Sequence, residues 1–129
     1  MRKFQFSSLP SVLTLTIALL ACGDNRSLQS VSISPAGANS SAQFTATGMF
    51  NKAPTSADIT TTTTWCVGSS SGVCAGNINT GATVNAGMAQ CVTGFTGSVT
   101  ILAGKSEPVA NPDSGPQLKP FGAAQLNCP

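Results

Sequence analysis

The sequence predicts an all-β protein whose folded part is a two-sheet sandwich. Apolar residues alternate with polar ones at period two over most of the chain, and Gly, Pro and Asn separate the alternating runs. No window longer than about ten residues keeps a helical period free of these breakers. Short alternating strands, about seven in number and separated by turns, are typical of a sandwich.

Residues 1–21 have the layout of a secretory signal peptide. Arg2 and Lys3 give a positive start, an apolar stretch runs up to Leu20, and a small residue, Ala21, precedes the expected cleavage site. The apolar stretch is too short and too rich in Ser, Thr and Pro for a membrane-spanning helix, which needs about 20 apolar residues. We therefore expect this segment to be removed.

The junction Leu19-Leu20-Ala21-Cys22 resembles a bacterial lipobox. The resemblance implies a thioether-linked diacylglycerol on Cys22, cleavage after Ala21 and acylation of the new N-terminus. An ordinary signal peptide with a cysteine at the junction is the alternative. In enteric bacteria an Asp directly after the lipidated cysteine favours retention in the inner membrane. That position is Gly23 here, and Asp24 comes one place later, so the outer membrane is favoured over the inner. The expectation is an exported bacterial lipoprotein held to a membrane through Cys22.

The mature chain divides into four expected segments. A lipidated tether covers residues 22–29, and a sandwich domain covers 30–105. A proline-rich loop follows over 106–120, and a C-terminal strand over 121–129 packs on the same domain. The threonine run 60–64 is expected to lie within a strand, because β-branched residues favour extended backbone.

The core is expected from the parity of the alternating runs. Residues of one parity are apolar while most of their neighbours are Ser, Thr or Gln, so the apolar set should face inward. Leu102 is one of the alternating neighbours, and Cys66 has the opposite parity to Trp65, so it should face away from the core. The only Trp of the chain belongs to this set, and a large aromatic suits the centre of a sandwich. The expected core residues are Val31, Ile33, Phe44, Ala46, Trp65, Val67, Val99 and Ile101.

Four of these runs, in order, resemble the bacterial immunoglobulin-like domain, group 2. They are Ser30-Val31-Ser32-Ile33-Ser34-Pro35, Gln43-Phe44-Thr45-Ala46-Thr47-Gly48, Thr64-Trp65, and Gly97-Ser98-Val99-Thr100-Ile101-Leu102-Ala103. The resemblance extends over roughly Leu28 to Lys105 and is weakest in the middle. It implies an immunoglobulin-like sandwich of about seven short strands, to which this chain adds a C-terminal strand pinned by a disulfide.

Four cysteines remain once Cys22 is assigned to the lipid. They are Cys66, Cys74, Cys91 and Cys128, and their spacing contains neither a zinc-binding nor a redox Cys pair. In an exported domain they predict two disulfides. We favour Cys66–Cys74, across a short turn, with Cys91–Cys128 pinning the C-terminal strand, although two other pairings are open.

Charge and composition argue against several functions. Asp, Glu, Lys and Arg make up 8% of the chain and His is absent, which removes His-dependent catalytic groups and imidazole metal sites. Beyond Arg2 and Lys3 the bases stand singly in the sequence, so a nucleic-acid surface is not expected. No enzyme activity, cofactor or metal is therefore expected.

The expected function is a non-enzymatic, lipid-anchored module of the bacterial cell envelope with a structural, adhesive or protein-binding role. Its expected partners are the membrane and an envelope protein or polysaccharide. The alternative is a small disulfide-stapled inhibitor of an envelope or extracellular hydrolase. Such an inhibitor would present either residues 67–73 or the proline-rich loop.

Overall fold

The computed structural model describes residues 25–76, 80–109 and 115–129, and this part of the chain is all-β. The expected signal peptide and Cys22 lie outside the described residues. The strands are β1 (Leu28–Ser34), β2 (Gly37–Asn39), β3 (Ser41–Gln43), β4 (Thr45–Phe50), β5 (Ser56–Asp58), β6 (Thr64–Gly68), β7 (Ala82–Asn85), β8 (Met88–Cys91), β9 (Gly97–Ser106) and β10 (Leu118–Cys128).

The strands form three sheets that pack as two layers. One layer is the four-stranded sheet β2-β10-β9-β6, in which β2 runs parallel to β10 and the other pairs are antiparallel. The other layer contains β1-β4-β5 and β3-β8-β7. Only Phe44 separates β3 from β4, so these two sheets follow one another along the same stretch of chain.

The main core lies between the layers. Phe44 from the second layer meets Ile101 and Leu126 of the four-stranded sheet, and all three are fully buried. Five of the eight expected core residues are buried: Val31, Phe44, Ala46, Val99 and Ile101. The other three are half-buried and pack against the core: Ile33, Trp65 and Val67.

A second, smaller cluster covers the opposite face of the four-stranded sheet. Leu102 and Leu118 are fully buried there, and Cys74 is nearly so. Alternation along β9 indicated only the inner face, and the outer position Leu102 was expected to be a neighbour rather than a core residue. Its cover is the segment after β6, which is hydrogen-bonded to the chain before β10: the Cys74 N–H donates to the Pro116 carbonyl at 2.9 Å.

A bulge in β10 explains how one strand serves both clusters. Between Leu118 and Phe121 the register with β9 shifts by one residue. An extra residue reverses which face the following side chains take. Leu118 therefore lies on the outer face, while Leu126, at the same parity, lies in the main core.

The threonine run corrects one expectation. Residues 60–63 form a turn between β5 and β6, and the strand begins only at Thr64. The amide N–H groups of Thr62 and Thr63 both donate to the Ile59 carbonyl, at 3.0 and 2.9 Å. The turn prevails because Thr60 is bonded on three sides, which outweighs the extended preference of threonine. Its hydroxyl accepts from the Ala46 N–H, its carbonyl accepts from the Trp65 indole, and its own N–H donates to Asp58.

Two segment boundaries also differ from those expected. β1 begins at Leu28, so Leu28 and Gln29 belong to the sheet and not to the tether. β10 begins at Leu118, three residues before the expected C-terminal strand, because the chain pairs with β9 as soon as Leu118 reaches Ser106.

Candidate functional site

The two ends of the sandwich differ in character. We call one the tether end, since the chain reaches β1 there; β4 and β9 also finish at this end. It comprises residues 25–28, 50–55, 104–107 and 117–120. The far end comprises residues 35–40, 92–97 and 127–129. The registers of β1 with β4 and of β9 with β10 place these groups at opposite ends of the strands.

All four bases of the described residues lie at the tether end. Arg26 precedes β1, Lys52 follows β4, Lys105 is near the end of β9 and Lys119 is near the start of β10. The three lysines are exposed. The far end, as defined above, contains no charged side chain. Bases that stand singly in the sequence are thus brought to one end by the topology.

The segment that leads into β1 is fixed to the β4–β5 loop. The Ser27 N–H donates to the Asn51 side-chain oxygen at 2.7 Å, and the Asn51 amide donates to the Asn25 carbonyl at 3.1 Å. The Arg26 guanidinium lies 3.7 Å from the centre of the Phe50 ring and donates to the Pro54 carbonyl. A cation over an aromatic face is a favourable contact. The chain is therefore held in place from Asn25 onward.

A cleft of about 270 Å³ opens at the tether end. Its lining combines apolar side chains, hydroxyl-bearing residues and one lysine, Lys105. It is lined by Leu28, Phe50, Ile59, Thr62, Thr63, Thr64, Gly104, Lys105 and Ser106. The Thr63 hydroxyl is already used, because it donates to the Gly104 carbonyl at 2.9 Å.

The acids of the described residues are two, Asp58 and Glu107, and they do not form a pair. Asp58 is fully exposed; hydrogen bonds from the Thr60 side chain and then from the Thr60 N–H hold its pKa below the ordinary value of 3.8. Glu107 stands just beyond β9, where its N–H donates to the Gln117 carbonyl at 2.8 Å. Within the described ranges no three His, Cys, Asp or Glu side chains gather as a metal site would require.

The structure contains both of the favoured disulfides. Cys66 bonds to Cys74 with the Cα atoms 5.6 Å apart, and Cys91 bonds to Cys128 with the Cα atoms 5.7 Å apart. The first ties β6 to the segment that covers the outer cluster. The second joins β8 of one layer to the end of β10 in the other, so it is a link between layers.

A second cleft, of about 480 Å³, lies beside the Cys66–Cys74 bond. Its lining is uncharged, with valine side chains and hydroxyls. The residues are Val67, Gly68, Ser69, Val73, Cys74, Ala75, Thr80, Ser98, Val99 and Thr100. Such a surface suits a neutral partner, since it offers apolar contact and hydrogen bonds but no ion pair.

The turn within the expected inhibitory loop is closed tightly. The Ser69 N–H donates to the Val73 carbonyl at 2.9 Å, and the Leu118 N–H donates to the Gly72 carbonyl at 2.8 Å. Gly72 is buried with a φ of 84°, and a Cβ there would meet the Phe121 ring. Only the serines 69–71 are exposed at its tip, so the loop offers a target enzyme no large side chain.

The grouping of the four bases and the fixing of residues 25–27 were not expected from the sequence. Neither has a signal along the sequence, because both depend on contacts between segments that are about 25 to 90 positions apart. The disulfide cysteines and most of the core residues did carry a signal, through spacing and parity.

The sequence matches no protein-family model and no curated protein. Among the described residues, no helix has the length and apolar character needed to cross a bilayer.

Proposed function

We propose that the protein is a non-enzymatic, lipid-anchored immunoglobulin-like module of the bacterial cell envelope. Its lipid would be attached to Cys22, in the outer membrane rather than the inner. The domain would act by structure, adhesion or protein binding.

The strand order supports the immunoglobulin type. In such a sandwich one sheet has the order of strands C, F and G, and the other has A, B, E and D. Here β6, β9 and β10 are neighbours in the order C-F-G. The other layer reads A-B-E-D when β1 is A, the nearly continuous β3 and β4 are B, β8 is E and β7 is D; β5, which pairs with β4, and β2, which pairs with β10, are additional to this order.

The observation that carries the anchoring proposal is the Leu19-Leu20-Ala21-Cys22 junction, and the start of the folded part sets how closely a lipid there would hold the domain. The first hydrogen bonds from residues 25–27 to the domain come only three positions after Cys22, and β1 starts six positions after it. A lipid on Cys22 would therefore be joined to a folded domain with almost no spacer. An anchored binding module would use the surfaces away from the anchor, and the uncharged cleft beside Cys66–Cys74 is one of these.

Metabolic labelling with a clickable palmitate tests the anchor. Full-length protein is expected to take up the label and to fractionate with membranes, whereas Cys22→Ala protein should do neither. Cys66→Ala/Cys74→Ala protein is the matched control, because it removes cysteines that a lipoprotein signal does not use. Label retained in Cys22→Ala, or absent from the unaltered protein, would contradict the proposal.

Crosslinking in intact cells then tests the role. Capture of an envelope protein or a polysaccharide at the uncharged cleft supports the binding role. A stoichiometric hydrolase bound at the serine tip 69–71 would instead support the inhibitor. Protease treatment of intact cells separates the two orientations: cleavage indicates a surface-facing domain, and protection indicates a role inside the envelope.

A further inference from the structure

We propose that the tether end rests directly on the bilayer and contacts anionic phospholipid headgroups through Lys52, Lys105, Lys119 and Arg26. The inference rests on the lipid anchor of the proposed function and adds to it a fixed orientation and a lipid preference.

The short segment between Cys22 and Asn25 sets the orientation of the domain on the membrane. Residues from Asn25 onward are hydrogen-bonded to the domain, so only Gly23 and Asp24 lie between the anchored Cys22 and the fixed chain. Successive Cα atoms are 3.8 Å apart, and the Cα atom of Cys22 is therefore at most about 11 Å from that of Asn25. This is less than half the thickness of a bilayer core, which is about 30 Å. A domain held this closely must turn the tether end toward the lipid.

The charges of that end match an anionic surface. Lys105 and Lys119 stand on the paired strands β9 and β10, close to the bulge. Lys52 and Arg26 are joined through the β4–β5 loop, where Arg26 bonds to the Pro54 carbonyl. Phe50 connects the two pairs, because it stacks with Arg26 and lines the cleft together with Lys105.

The opposing acids are fewer within the described residues. Glu107 belongs to the tether end. Asp58 lies further from that end, because it pairs with Thr47, three residues before β4 ends at Phe50. Asp24 and Asp113 are outside the described residues. Each uncompensated Lys or Arg at an anionic surface strengthens contact by about fivefold. A free headgroup in solution does not contact all four bases together, whereas a bilayer that holds the anchor does.

The test measures the reactivity of lysines in the lipidated protein inserted into preformed vesicles. One set of vesicles contains phosphatidylglycerol and phosphatidylethanolamine, and the other contains phosphatidylcholine alone. A membrane-impermeant amine-acylating ester is added, and peptide mass spectrometry follows each lysine. Acylation of Lys105 is expected to be about fivefold slower on the anionic vesicles, and the difference should disappear in 1 M salt, because salt screens exposed charges.

Two variants serve as controls. Thr93→Lys places a reporter in an exposed loop of the far end, and its acylation rate should be equal on both kinds of vesicle. Lys52→Gln/Lys119→Gln removes two bases and keeps Lys105 as the reporter, and its protection is expected to fall. Equal rates for Lys105 on both vesicles would overturn the proposal, as would stronger protection of the far-end lysine.

The test does not depend on cellular lipidation. If palmitate labelling fails, the thiol of Cys22 can be joined to a maleimide lipid in the same vesicles, since the other cysteines are in disulfides. Failure of the anchor and failure of the orientation are then separate results.

Discussion

The two faces of the four-stranded sheet are both buried, but they are covered in different ways. The inner face packs against a whole second layer, with Phe44 at its centre. Among the described residues, the outer face is covered by an irregular segment, residues 69–74, which is bonded to residues 116–118 and which we call the strap. One face is therefore stabilised by packing between sheets, and the other by a strap.

One disulfide lies at each face, and the two bonds stabilise different parts of the domain. Cys91–Cys128 joins the layers at the far end, and it closes a loop of 37 residues. Cys66–Cys74 closes 8 residues and holds the strap to β6. The inner bond should therefore govern global unfolding, whereas the outer bond should govern whether the strap stays in place.

Truncation of two leucines on β10 compares how much packing at each face stabilises the domain. Leu126 in the inner core and Leu118 under the strap are both fully buried. Leu126→Ala is expected to lower the free energy of unfolding by about 4–5 kcal/mol, because a cavity between two rigid layers cannot collapse. Leu118→Ala is expected to cost about 3 kcal/mol, since the strap can move inward. Urea denaturation followed by the fluorescence of Trp65 measures both.

Ala123→Gly is the control for this pair, because Ala123 is exposed on the same strand. It should cost less than either leucine. Equal losses for Leu126→Ala and Leu118→Ala would show that the strap is as rigid as a sheet and would remove the distinction between the faces.

Removal of the bond between layers should have the next largest effect. The chain-entropy relation gives about 4 kcal/mol for a loop of 37 residues. Cys91→Ala/Cys128→Ala should therefore lower the thermal midpoint by more than ten degrees in a domain of this size. Differential scanning calorimetry measures the change, and a shift of only one or two degrees would contradict the assignment.

Removal of the strap bond should cost less and act locally. The same relation gives about 2.5 kcal/mol for 8 residues. In Cys66→Ala/Cys74→Ala, hydrogen exchange should rise first at the Cys74 and Leu118 amides, whose acceptors are the Pro116 and Gly72 carbonyls. The Ile101 amide is the internal reference. A uniform rise across the domain would show that the strap and the core unfold together.

The sequence could predict the inner face because its signal is periodic. Val99 and Ile101 alternate with polar residues. By the same parity Cys66 was expected on the face opposite Trp65, and it packs there against the outer cluster. The outer face escaped prediction because Leu102 follows the inner residues without a gap, and because the bulge before Phe121 changes the parity of β10. A period-two argument has no means of locating such a shift.

The candidate site was less predictable for a related reason. Lys52 and Lys105 are 53 positions apart in the sequence and belong to different sheets; they reach one end because the two layers pack with the end of β4 beside the end of β9. The threonine turn shows the opposite case, in which a local preference was clear but lost. Thr60 adopts a turn because its hydroxyl and carbonyl satisfy the Ala46 amide and the Trp65 indole.

The smallest effect should come from the charge of Asp58, an exposed residue at the end of β5 beside this turn. Hydrogen bonds from Thr60 lower the pKa of Asp58 from 3.8 in the folded protein. The ionised carboxylate therefore stabilises the fold above about pH 4, and this contribution is lost as the pH falls through the folded-state pKa. Asp58→Asn should be slightly less stable than the unaltered protein at pH 7, and the difference should shrink as the pH falls below 3.8.

Urea titrations of both proteins at pH 7, 4 and 2 measure the difference. Glu107→Gln is the matched control, because Glu107 also stands alone on the surface but the Thr60 turn does not reach it. If Asp58→Asn and the unaltered protein differ by the same amount at every pH, the effect comes from the altered side chain and not from its charge. A pH-dependent loss of stability as large as that caused by Leu118→Ala would mean that an exposed hydrogen bond stabilises the domain as much as packing under the strap does. The contrast between the two faces would then not hold.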